Sequence, residues 1–210
     1  MGHAAVSVLK RGAATNRVVI HGLARSESSF HPVLSAGICH EKEKPMTVFA
    51  IFGVSVMMGF IAFGVVTNLY ILPHLWNSSR ENALIALIVP HAFRYVGLSF
   101  LVPGVVSPSL EQAFAAPAAY GDFCASILAL IAIFALRARS HWAIPLVWLF
   151  NIWGFADLWL AMYQGVIGVG IMPGSLGAAF FIPTTIVPPL LITHGLIFWL
   201  LLRASQTVRT

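Results

Sequence analysis

Five apolar runs, each about as long as a bilayer is thick, constrain this chain more than any motif in it. They lie at 46–70, 84–106, 117–136, 143–164 and 178–202. A spanning helix needs roughly 20 predominantly apolar residues, and every run meets that length. Only 9% of the 210 residues are charged, against about 25% in soluble domains, so almost nothing remains for a water-facing domain. The runs are continuous, whereas a membrane barrel would show short alternating segments. The sequence therefore predicts an all-α fold: a polytopic membrane protein with five transmembrane helices in a bundle over 46–210. Pro90 in the second helix and Pro183, Pro188 and Pro189 in the fifth predict proline kinks there. Each ring removes a backbone hydrogen bond and presses on the carbonyl four residues back, freeing the carbonyls of Ala86, Ala179, Thr184 and Thr185.

The basic residues set an expected orientation, because Lys and Arg near helix ends favour the cytoplasmic side. Arg80, Arg137, Arg139, Arg203 and Arg209 flank one set of ends, while the loops 107–116 and 165–177 contain neither Lys nor Arg. The first helix is thus expected to start outside and the C-terminus to lie in the cytoplasm. Residues 1–45 run against this pattern, carrying half of the 12 Lys and Arg on what would be the outer side. They contain no apolar run long enough for a signal peptide. They read as a disordered leader, either absent from a working chain that starts at Met46 or removed as a transit peptide. With the leader set aside, the net charge of +5 does not point to nucleic acid. Cys39 and Cys124 make no disulfide framework. The glycine-rich loop GVIGVGIMPGSLG at 165–177 lacks the GxxxxGK[ST] pattern of a phosphate cradle. The rows Ser55, Gly59, Gly64 and Gly121, Ala125, Ala129 read as close-packing faces, and a homo-oligomer is compatible with them.

The chemistry sits in polar residues inside the apolar runs. His91, Arg94 and Tyr95 belong to the second helix, Asn151 and Asp157 to the fourth, and His194 to the fifth. At about 1.5 Å per residue, His91, Asn151 and His194 fall roughly 10–12 Å from the cytoplasmic end, with Arg94 at about 15 Å and Asp157 at about 21 Å. On an α-helical period His91, Arg94, Tyr95 and Leu98 share one stripe. A guanidinium inside a bilayer cannot shed its charge and needs oxygen partners. Asp157 is the expected one, with Asp122 near the outer end of the third helix as the alternative.

Four readings of this cluster stand side by side. It fixes helix packing in a structural or assembly subunit. It handles a small polar or anionic ligand, or protons, as intramembrane ionisable groups commonly do, which would suit a transporter. It holds haem b between His91 and His194. Or it carries intramembrane enzyme chemistry, for which HExxH and GxSxG signatures are absent, so the sequence leans away from an enzyme and from a resident metal.

The stretches HAFRYVGLSFLVPGVVSP, AFAAPAAYGD, FNIWGFADLW and AMYQG resemble a group of uncharacterised bacterial multi-pass membrane proteins over residues 46–203. The resemblance implies five helices and a bacterial inner (plasma) membrane, with the lipid bilayer as the partner. It implies no activity.

Overall fold

The computed structural model describes residues 45–206, with side chains over 46–203; the leader reading therefore falls outside the described residues. All regular elements among the described residues are helical. Five helices are long and apolar enough to cross a membrane: α1 (Met46–Trp76), α2 (Arg80–Leu101), α3 (Gln112–Arg137), α4 (Ala143–Gly168) and α5 (Ile182–Arg203). Each differs from its apolar run by a few residues, because polar end residues such as Arg80 and Gln112 continue the helical winding that hydropathy alone does not register. α2 stops at Leu101 because Val102, which precedes Pro103, is extended (φ −92°, ψ 115°), the conformation a following proline favours.

α3 lies along α2 on one side and α4 on the other, α5 touches α1, α2 and α4, and α1 rests on α5 and the turns preceding it. The small row Ala125, Ala129, Ala132 of α3 is fully buried, as close helix approach requires. Of the α1 glycines, only Gly59 meets a neighbour. The Thr184 carbonyl stands where its Cβ would be, whereas Gly53 and Gly64 face open space. The carbonyl that Pro188 was expected to free is thus covered by α1, at a position where α1 has no side chain.

Two local features place the site. Ser79 starts α2, extended at φ −61°, ψ 152°, with its hydroxyl accepting the Asn82 N–H at 3.3 Å. Ser79→Ala is expected to cost about 1 kcal/mol, read as a lower thermal midpoint and faster amide exchange in the first turn of α2.

The second feature follows Pro90. α2 is α-helical over Arg80–Ile88 and 3₁₀-helical over Val89–Leu101. A 3₁₀ helix has 3.0 residues per turn, so side chains three apart eclipse. The buried row is accordingly His91, Arg94, Gly97 and Phe100. The expected α-helical stripe held Tyr95 and Leu98 instead. Tyr95 is 50% exposed, turned off the row by the tighter winding. Runs of this geometry seldom exceed three or four residues; here packing along α3 supports thirteen.

At the far end, the glycine-rich segment folds back. Gln164–Gly168 extends α4 as a π turn, and Pro173–Phe180 forms a 3₁₀ turn. Ala178 N–H donates to Val105 O at 2.9 Å and Ser107 N–H to Ser175 O at 3.0 Å. Gly177 has φ +53° and leaves no space for a Cβ against the Val105 carbonyl, so this contact requires glycine. Apolar layers close both ends of the bundle. Leu84, Leu87, Ile88, Val147, Ile197 and Leu201 pack at one end, and Phe100, Phe114, Ala119 and Leu176 at the other. The polar residues lie between them.

Candidate functional site

Arg94 is the largest fully buried side chain of the described residues, and its donors are directed one by one at acceptors on two other helices. Nε donates to Asp122 Oδ1 at 2.8 Å, Nη1 to Gly154 O at 3.0 Å, and Nη2 to Asp157 Oδ2 at 2.6 Å. Nη2 also lies 2.8 Å from Asp122 Oδ1. The two acids that the sequence offered as alternatives are both partners, because α3 and α4 pack beside each other and present their carboxylates to one guanidinium.

Glycine makes the space. A Cβ on Gly97 of α2 would collide with the Asp122 carboxylate, one on Gly121 of α3 with Asp157 Oδ1, and one on Gly154 of α4 with Arg94 Nη1 and His194. Each of these helices therefore contributes a charged residue and, within three positions, a glycine that admits the charged residue of a neighbour. Spacing within the sequence carries that signal only once the order of the helices is known.

Below the ion network lies a neutral one. His194 Nδ1 is 2.7 Å from Asn151 Oδ1, and Asn151 Nδ2 donates to His194 O at 3.3 Å. The Asn151 oxygen can only accept, so His194 carries its proton on Nδ1. His91 Nε2 is 2.9 Å from Thr193 Oγ1. That hydroxyl donates to the Pro189 or Leu190 carbonyl, 2.9 and 3.0 Å away, so His91 donates from Nε2. Both tautomers are assigned from the network. They leave His91 Nδ1 and His194 Nε2 as buried acceptors without partners among the described residues. His91, Asn151 and His194 are 0% exposed. Sequence reasoning missed Thr193, whose hydroxyl only gains a role once α5 faces α2.

The two imidazoles sit with ring centres 4.2 Å apart, inclined by 58°. Metal–nitrogen bonds run about 2 Å each, so a metal bound between two imidazoles holds ring centres farther apart than this, and a macrocycle between them needs more space still. The rings thus stand closer together than a haem held between them would place them. No group of three or more His, Cys, Asp or Glu side chains is placed to hold a metal among the described residues.

A cavity of about 400 Å³ adjoins the ion network, lined by Phe52 and Phe60 of α1, Phe100 of α2, Phe114 of α3 and Met162 of α4, among other apolar residues. Among the described residues, Asp122 is the one charged side chain in its wall. A smaller space of about 10 Å³ against Arg94 and Gly97 shares Asp122 with it.

Fold and site together define a five-helix bundle of membrane-spanning type with a buried arginine–carboxylate centre. The family described as a domain of unknown function (DUF8737) matches residues 51–202, and the chain belongs to that family. Neither the curated proteins nor the solved structures contain a match.

Proposed function

We propose that this chain is an integral membrane protein of a bacterial inner membrane, with α1 starting outside, α2 and α5 proline-bent, and the C-terminus in the cytoplasm. Its function is to bind a small amphipathic ligand, apolar body in the cavity and polar end at the Arg94 site. The observation that carries this reading is the cavity of about 400 Å³ ending on a single buried carboxylate. Small-molecule sites are typically about 300–1,000 Å³, apolar, with few placed polar groups, and this one meets each condition. α1 forms one wall yet rests mainly on α5, which suits access from the bilayer between α1 and α4.

The geometry favours binding over a continuous proton or solute path. Beneath the histidines, Leu84, Ile88, Val147 and Ile197 are 0% exposed and close that end with apolar contacts. The packing reading draws on the same ion network, because an arginine joining three helices also orders them. Occupancy of the cavity separates the two.

A long-chain alkanol carrying a diazirine tests the proposal in reconstituted membranes. Photolabelling is expected at Phe114 and Asp122, which are 6% and 7% exposed and line the cavity. Ala118→Trp, which fills the cavity from α3, is expected to remove that labelling and to spare the outward-facing Leu149 and Trp153. Labelling confined to outward residues, or unchanged in Ala118→Trp, would overturn the reading.

A further inference from the structure

We propose that the ligand is a lipophilic monocation, a single apolar chain or ring system bearing a primary ammonium that pairs with Asp122. This rests on the cavity reading above and narrows it to one charge class.

The first argument is charge. One guanidinium faces two carboxylates, Asp122 and Asp157. Both histidines donate one proton and leave the other nitrogen bare, so they add no positive charge. The remaining charged side chains described, Arg80, Glu81, Glu111, Arg137, Arg139 and Arg203, belong to the ends of the helices or the links between them. With both carboxylates ionised the centre carries one more negative than positive charge, and a cation beside Asp122 would balance it in an apolar surrounding, where an ion without a partner is costly.

The second argument is direction. Asp122 Oδ1 takes both guanidinium contacts, from Nε and Nη2. Its Oδ2 lies against Gly97 and accepts no hydrogen bond among the described residues. Asp157 does not line the cavity; Asp122 does, and it lines the smaller space as well. That smaller space, about 10 Å³, is close to what one water-sized group occupies. An ammonium head fits it, and a sulfate or phosphate does not.

The third argument concerns the anion that the sequence suggested for Arg94. Nε, Nη1 and Nη2 are each already bonded to protein oxygen, and the group next to the cavity is a carboxylate, which repels anions. The ligand class thus follows from the acid beside the arginine.

The test is competition in nanodiscs of zwitterionic lipid, with photolabelling of Phe114 by the diazirine alkanol as the readout. Dodecylammonium is expected to displace the label at about tenfold lower membrane concentration than dodecanol, the equivalent of one charge-assisted hydrogen bond. Dodecyl sulfate is expected to be the weakest competitor. Asp122→Asn is expected to abolish the advantage of the cation while Phe114 is still labelled; Asp122→Glu is expected to retain it. Should the asparagine variant not fold, the wild-type series decides alone. Equal competition by dodecylammonium and dodecanol would overturn the charge assignment, meaning that a proton and not a ligand balances the two carboxylates, and would leave the cavity reading standing. Stronger competition by the sulfate would overturn it in favour of anion recognition by Arg94. Failure of any alkanol to label Phe114 would remove both.

Discussion

Arg94→Gln is expected to abolish recovery of folded protein. Removing one partner from a buried ion pair costs about 3–5 kcal/mol, and here two carboxylates lose the same partner at once. Against a typical net stability of about 5–15 kcal/mol, the loss is a large fraction of the whole. The measurement is the monodisperse yield after detergent extraction, with the thermal midpoint of whatever survives. A companion variant separates charge from shape. Arg94→Met combined with Asp122→Asn and Asp157→Asn removes every ionised group from the centre, and neutral replacements of buried ion pairs are often tolerated. The triple variant is expected to recover most of the stability and none of the cation preference. A wild-type yield and midpoint for Arg94→Gln alone would mean that the guanidinium is not the hub of the packing.

Gly121→Ala is the second large effect. The added methyl would occupy the position of Asp157 Oδ1, so the carboxylate must move and its 2.6 Å contact with Arg94 Nη2 must lengthen or break. Overpacking alone costs about 1–3 kcal/mol, and a displaced buried carboxylate adds to that. The variant is expected to lose at least about 3 kcal/mol, seen as a collapse of the thermal midpoint. Gly53→Ala and Gly64→Ala serve as internal controls. Both glycines are helical, with nothing within 4 Å of the added carbon. They are expected to be neutral or slightly stabilising, by up to about 1 kcal/mol, since alanine is the better helix former. If Gly121→Ala behaves like those controls, the interlocking of glycine and carboxylate does not hold the bundle.

The five spans were legible because hydropathy is a local property summed over about 20 residues. Their ends were less so: α2 runs four residues further back than its apolar run, to Arg80, where a serine cap and polar first turn define the boundary. Arg94 announced itself, because a guanidinium in an apolar run must find oxygen partners. Its choice between Asp122 and Asp157 was not available from depth estimates. The answer, both, depends on α3 lying between α2 and α4. Tyr95 shows the limit of periodicity: the stripe was drawn on 3.6 residues per turn, and the helix after Pro90 is wound with 3.0. One proline marks where the winding changes, but only the packing against α3 decides that the tight form continues to Leu101.

The sequence by itself determined the class of fold and the identity of the costly residues, since both follow from the exchange of water for hydrocarbon, residue by residue. The tertiary structure alone decided which carboxylate faces the cavity, which histidine nitrogens are left bare and where glycine admits a neighbour's charge. These depend on the relative rotation of helices far apart in the chain, and that rotation is set by close packing between surfaces that no single stretch of sequence contains.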